Sequence, residues 1–247
     1  MYLILYSFYE NKNSINNLKF FIKNGVINNN DIFYIFIVNG KSSIMFPQNN
    51  NIKVLYRDNS GHDFAAWSYG LQNINYENYN YFIFLNDTVI GPYLPRYVDK
   101  DNKWYVMFCN KLNNEYKLLG LTINYFPWNT NKYNEHVQSM MFCTDLLGLN
   151  LLINNKILCD SLDNYKSCIK KRMNYIIKYE IGMSKIILQN NFKITALYYC
   201  AINNIKTGDI WYNNKYFDTT INPLETMFIK SNRISNKLIN MYNKSLS

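Results

Sequence analysis

Residues 81–85 read Tyr-Phe-Ile-Phe-Leu and stop abruptly at Asn86-Asp87-Thr88. A strand that is apolar at every position, instead of every second one, has both faces buried, and that demands a sheet covered on both sides. Residues 2–8, 31–38 and 52–56 are apolar runs of the same kind, the last two closing on Asn39-Gly40 and Arg57-Asp58. Between them lie helical patterns: Leu18, Phe20, Phe21 and Ile22 after a polar loop, then Phe64, Ala65, Ala66, Trp67 and Leu71 after the turn-like Asn59-Ser60-Gly61-His62-Asp63. Strand alternating with helix predicts an α/β fold with a mostly parallel central sheet flanked by helices. Ligands of such sheets collect beyond the carboxyl ends of the strands, so Asp87 is the first candidate for a site.

The rest of the chain is less regular. Residues 104–108 and 118–123 read as strands, and residues 136–143 form an apolar stretch before a helix capped by Asp145. Ile169, Met173, Ile176, Ile177, Met183, Ile187 and Leu188 recur at helical spacing, with a break expected at Gly182. Residues 194–199 return to strand, and Asn222-Pro223-Leu224-Glu225 opens a helical tail carrying Lys230 and Arg233. No repeat or linker interrupts the 247 residues, so one domain is expected.

Composition excludes several classes. The five cysteines form no C-x-x-C pair, which argues against a disulfide framework or a zinc site and for buried thiols in a reducing compartment. Metal binding then falls to oxygen ligands. No apolar run approaches the roughly 20 residues of a membrane span, and the start has neither a basic segment nor a small-residue cleavage site. A cytoplasmic protein with no transmembrane segment is the expectation. Asn, Ile, Lys and Tyr are abundant in the way an AT-rich genome produces, so the net charge of +9 is weak evidence for a nucleic-acid partner. The aromatics also sit inside apolar strands instead of alternating with Lys and Arg, which speaks against a base-stacking surface and against nucleic acid as a partner. The charge leaves a basic nucleic-acid-binding protein as the remotest alternative.

On local pattern alone, Asp87 either caps the turn into Gly91-Pro92 or holds a ligand. Asn59 or Asp63 likewise caps a helix start or takes part in an anion site at the helix N-terminus, with Gly61 supplying an unusual backbone angle. Taken together, the spaced run from Asn59-x-Gly61 through Asp63-Phe64, Ala66-Trp67 and Tyr69-Gly70-Leu71 to Leu85-Asn86-Asp87-Thr88-Val89 and Gly91-Pro92 resembles that of GT-A fold glycosyltransferases. It is similar to the family-2-like group, and more so to the rhamnan-synthesis F type of polysaccharide glycosyltransferase and its relatives in large DNA viruses. Gly120-Leu121-Thr122, His136-Val137-Gln138-Ser139, Glu180-Ile181-Gly182-Met183-Ser184 and Phe228-Ile229-Lys230-Ser231-Asn232-Arg233 extend the resemblance over nearly the whole chain.

The resemblance implies a single GT-A (Rossmann-like) domain, residues 1–100 forming the nucleotide-sugar-binding half and 101–247 the acceptor side with a helical tail. It implies a UDP-, GDP- or dTDP-sugar donor, a glycan or glycoprotein acceptor, and an Mn²⁺ or Mg²⁺ ion held by Asp87. Asn86 stands where the family's D-x-D has its first carboxylate, so Asp87 is left as the one certain ligand. Ser7, Tyr9, Asp58, Asn59, Gly61, Asp63 and Asn86 are implied to shape the donor site, with Lys230 and Arg233 as a diphosphate clamp or as charges on a solvated helix face. Glu180 is the implied general base of an inverting transfer, although Ile181 replaces the second acid of the family's pair. Its alternative is a surface charge paired with Lys178 or Lys185. His136, bordering the acceptor side, is the second implied catalytic residue, and Trp128 beside Pro127 offers a sugar-stacking platform. The incomplete acidic motifs leave a second outcome open, a catalytically silent module that binds nucleotide or glycan.

Overall fold

The computed structural model describes residues 1–95, 97–98, 103–125, 135–169, 172–198, 211–212, 215–216 and 221–245. Trp128 and Cys200 lie outside them. The apolar runs form the strands β1 (Tyr2–Phe8), β2 (Ile32–Asn39), β3 (Ile52–Arg57) and β4 (Tyr81–Asn86), with α1 (Lys12–Asn24) and α2 (His62–Gln72) between them. All four strands are parallel, in the order β3-β2-β1-β4.

After the short β5 (Val89–Ile90) comes α3 (Trp104–Cys109), then β6 (Tyr116–Tyr125), β7 (Glu135–Val137), β8 (Met141–Asp145) and α4 (Leu146–Asn154). The strands β8, β6 and β7 continue the same sheet beyond β4, antiparallel at each junction, while β9 (Lys193–Tyr198) runs parallel to β6. Helices α5 (Leu162–Ile169), α6 (Arg172–Tyr175) and α7 (Gly182–Gln189) precede β9. Two short antiparallel pairings complete the strands: β10 (Trp211–Tyr212) with β11 (Lys215–Tyr216), and β12 (Ile229–Lys230) with β5. Helices α8 (Pro223–Thr226) and α9 (Asn236–Ser245) flank β12.

Alternate residues of each strand enter separate cores. Leu3, Leu5, Ile35, Ile37, Phe82 and Phe84 pack under α2, α4 and α7, whereas Ile4, Tyr6, Phe36, Val38, Ile83 and Leu85 pack against α1 and α3. Both faces are thus dry, as the uninterrupted apolar runs require. Trp67 is central to the first core: it is 0% exposed, its Nε1 donates to the Leu85 carbonyl at 3.3 Å, and its ring meets Phe84 and Phe142 edge-on. Trp67→Ala is expected to cost about 3–5 kcal/mol in urea unfolding, with Trp67→Phe costing much less. Equal losses in the two variants would contradict the role given to ring packing.

Three local expectations are corrected. Residues 104–108 are helical: Trp104, Tyr105, Phe108 and Cys109 are buried with the i, i+4 spacing of one helix face, while Val106 is 38% exposed. Their β-forming side chains misdirect a local reading, and docking of Trp104 on Phe21, with Nε1 donating to the Gly25 carbonyl at 2.7 Å, decides otherwise. Gly182 breaks nothing; its φ of −55° is helical, and the irregularity is a π-helical turn at Ile176–Ile181 just before it. Lys230 and Arg233 are not on an amphipathic helix. Met227, at φ 61°, ends α8 after one turn, Lys230 belongs to β12 and Arg233 to the 3₁₀ turn Ser231–Arg233. Of the described cysteines, all free, Cys109 and Cys143 are buried while Cys159 and Cys168 keep partial exposure.

Candidate active site

The carboxyl ends of β3, β2, β1 and β4 carry Arg57, Asn39, Ser7 and Asn86, all linked by one chain of hydrogen bonds. Arg57 Nη1 donates to Asn39 Oδ1 at 2.5 Å, and Asn39 Nδ2 donates to Ser7 Oγ at 3.1 Å. Ser7 Oγ then donates to Asp63 Oδ1 at 2.9 Å, while Asn86 Nδ2 donates to Asp63 Oδ2 at 2.8 Å. Asp63 is delivered to this edge by the first turn of α2. Gly61 at the helix start has φ 83°, and a Cβ there would stand 2.5 Å from that of Ala65, so only glycine fits. Tyr175 clamps the same turn, its hydroxyl donating to the Gly61 carbonyl at 3.1 Å and accepting from Phe64 N at 3.2 Å.

Asp63 is therefore no helix cap. Its carboxylate is enclosed, and burial, only partly offset by the bonds from Asn86 and Ser7, raises its pKa. Asp87 does not cap its own turn either; Asn86 does so, its Oδ1 accepting from Thr88 N at 3.1 Å and Thr88 Oγ1 at 2.6 Å. Asp87 Oδ2 instead accepts from Tyr9 N, beyond β1, at 2.6 Å. Burial first, and then the neighbouring Asp63, push the Asp87 carboxyl up to about 7, against the Tyr9 bond that lowers it. Two carboxylates thus share one desolvated strand edge.

Cations approach from the C-terminal part of the chain. Lys230 pairs in register with Val89, and Ser231 N donates to the Thr88 carbonyl at 2.9 Å, which sets the Lys230 stem two residues past Asp87. Burial lowers the Lys230 pKa; Glu180 and Asp63 oppose this, while Arg233 and Arg172 add to it. Lys230 is therefore within electrostatic reach of both Glu180 and Asp63, which come from different halves of the chain. Glu180 lies on the π-helical turn, and its Oε1 accepts from Ser139 N at 3.3 Å. It is not paired with Lys178, which binds Asp160 at 2.8 Å.

The other expected site residues divide clearly. Tyr9, 51% exposed, stands open at the edge beside Asp87. Asp58 and Asn59 are exposed at the end of β3, and Asp58 lines a cleft of about 380 Å³ with Arg57, Ser60 and Tyr165. His136, 2% exposed, is buried in β7, three residues before the Ser139 turn that meets Glu180. Sequence reasoning missed Asn39, Arg57, Asn17 and Ser231 as working parts. Asn17 Nδ2 reaches from α1 to donate to the Asp87 carbonyl at 2.7 Å and to Ser231 Oγ at 3.0 Å. For Asn39 and Arg57 the signal was present, since each is the polar residue that ends an apolar strand.

Asp87 Oδ1 takes no hydrogen bond among the described residues, and no group of three or more His, Cys, Asp or Glu side chains there is placed to hold a metal. Two carboxylates with a free oxygen suit a Mg²⁺ or Mn²⁺ ion that keeps several water or phosphate ligands, and not a cage built wholly of protein. No helix of the described residues is long and apolar enough to cross a membrane.

Several known proteins are similar to this chain. Among curated sequences the chain is 29% identical over 138 residues to the virulence protein VirA of Vibrio anguillarum, recorded both for strain ATCC 68554 / 775 and for the species, over 52% of this chain and 38% of VirA. The chain thus spans well under half the length of these relatives. Among solved structures, one of a glycosyltransferase involved in the glycosylation of the major capsid of PBCV-1 aligns over 79% of this chain and 80% of that one, with 11% identity and a TM-score of 0.43. The family model for rhamnan synthesis protein F matches residues 37–242. With most of its length inside that match, the chain belongs to the rhamnan synthesis protein F family, the glycosyltransferase group its sequence resembles.

Proposed function

We propose that the protein transfers a hexosyl or deoxyhexosyl group from a nucleotide-diphosphate sugar (UDP-, GDP- or dTDP-linked) to a glycan or glycoprotein acceptor, with inversion and with Mn²⁺ or Mg²⁺ assistance. The observation that carries this reading is the pair of desolvated carboxylates, Asp63 and Asp87, facing one strand edge next to Lys230. Buried carboxylates side by side need a cation or a proton, and a nucleotide diphosphate brings a cation with it. Asp63 supplies in space the second acid that Asn86 removes from the linear motif.

Asp87 and Asp63 would hold the ion, which when bound acts as a Lewis acid on the leaving diphosphate. Lys230 and Arg233 stabilise the same departing charge. Ser7, Asn39 and Arg57 fix the donor edge, Tyr9 offers an open ring, and Asp58, Asn59 and Gly61 shape its border. As the acceptor hydroxyl oxygen bonds to the anomeric carbon, the carbon–oxygen bond to the diphosphate breaks and Glu180 takes the hydroxyl proton. His136, buried in β7 three residues before the Ser139 turn, borders the acceptor side.

A nucleoside diphosphate with Mn²⁺, at about 100 times its Kd, is expected to raise the melting temperature by roughly 5–10 °C. The sugar nucleotide of the same base should be slowly hydrolysed. Absence of any shift with UDP, GDP or dTDP, with either metal, would overturn the donor assignment. Donor binding with no turnover across a broad sugar panel would instead establish a silent binding module, the outcome that Asn86 and Ile181 favour by replacing family acids.

A further inference from the structure

A groove of about 630 Å³ runs between α1 and α9, on the far side of Asn17 from Asp87. Its walls follow helical spacing on both sides: Asn13, Asn16 and Phe20 on α1 face Asn236, Ile239 and Asn240 on α9. Asparagine is common throughout this chain, but codon bias does not align carboxamides on two facing helix stripes. The side chains of Asn13, Asn16, Asn236 and Asn240 take no hydrogen bond among the described residues, so their donors and acceptors are available to a ligand. Lys12, Lys19 and Lys23 add three positive charges, and no carboxylate lines the groove among the described residues.

Each part selects a ligand chemistry. A carboxamide presents a donor beside an acceptor, which matches neighbouring hydroxyls on a sugar. Phe20 and Ile239, both half-buried, give an apolar floor for the C–H face of a ring. Lysines without acidic counterparts attract an anion. Among the described residues Phe20, half-buried against Tyr93 at 4.9 Å, is the one aromatic side chain lining the groove, which is too few for a run of stacked bases. Asn17 and Ser231 also line the groove, and these two side chains hold the Asp87–Thr88 turn.

We propose that this groove binds an acidic oligosaccharide, the body of an acceptor whose end reaches the Asp87 edge past Asn17 and Ser231; as an acceptor track it rests on the transferase reading above. The probe is fluorescently labelled hexagalacturonate, with maltohexaose as the neutral control and single-stranded DNA as the polyanion control. Wild-type protein should bind hexagalacturonate, more tightly than maltohexaose. The variant Lys12→Ala/Lys19→Ala/Lys23→Ala should bind it about tenfold more weakly at low salt. Asn16→Leu/Asn240→Leu, which keeps every charge, should also weaken it severalfold, and both variants should keep the thermal shift given by UDP, GDP or dTDP with Mn²⁺. The proposal is overturned if wild-type protein ignores hexagalacturonate, if it prefers single-stranded DNA, or if either variant binds as wild type does. Should no nucleotide bind at all, hexagalacturonate binding still reports on the groove, so failure of the donor reading and failure of the groove are told apart.

Discussion

Asp87→Asn is expected to abolish sugar transfer and yet to make the metal-free protein more stable at pH 8. The carboxyl of Asp87 titrates near 7 in the folded chain, chiefly because burial disfavours its charge, and near the ordinary value of 3.8 when unfolded. Between those two values the folded state holds a proton that the unfolded state has lost, so stability falls as pH rises. Below pH 3.8 both states are protonated and nothing is lost; above about 7 the full penalty applies, as much as roughly 4 kcal/mol. Asparagine never ionises, and its Oδ1 still accepts the Tyr9 N–H. The variant should therefore match wild type near pH 4 and exceed it at pH 8 in EDTA, by several degrees in melting temperature.

Activity should move the other way. Loss of a carboxylate that anchors a Lewis acid removes several kcal/mol of transition-state stabilisation, about 10³-fold or more in rate. Mn²⁺ with a nucleoside diphosphate should stabilise wild type and leave Asp87→Asn unmoved. A variant that is destabilised equally at pH 4 and pH 8 would show that Asp87 is a structural residue and not a strained ligand. Sites that keep unsatisfied charge for function commonly cost stability in this way.

Much of this arrangement was legible in the chain, and the physics explains where legibility ended. Strands such as residues 81–85 are apolar at every position, so both their depth in a sheet and the polar break after them follow from local pattern. Asp63 and Asp87 stood out because each lies where a helix begins or a strand ends. Residues 104–108 misled because Trp, Tyr, Val and Phe favour strands, and only the surface they cover makes them helical. Lys230 seemed part of a helix because the left-handed Met227 that ends α8 has no signature of its own. Asn17 and Ser231 stand 214 positions apart, and no local rule joins an amide to a hydroxyl across such a distance. The bond from Asn86 Nδ2 to Asp63 is likewise a contact in space, between residues 23 positions apart.

Glu180→Gln should separate binding from chemistry more cleanly than any other substitution. The glutamine Oε1 can keep the bond from Ser139 N, so the π-helical turn and the fold lose nothing that the carboxylate supplied through that contact. What disappears is a base, and loss of general-base assistance lowers the rate by about 10²–10⁴-fold. Donor affinity and the nucleotide-dependent thermal shift should stay as in wild type, because Asp63, Asp87 and Lys230 are untouched. Glu180→Asp should recover part of the rate, since the shorter acid still accepts a proton from a hydroxyl bound nearby. Full activity in Glu180→Gln would move the base elsewhere, and a lost thermal shift would mean that Glu180 acts on the donor through Lys230, whose charge it helps to sustain.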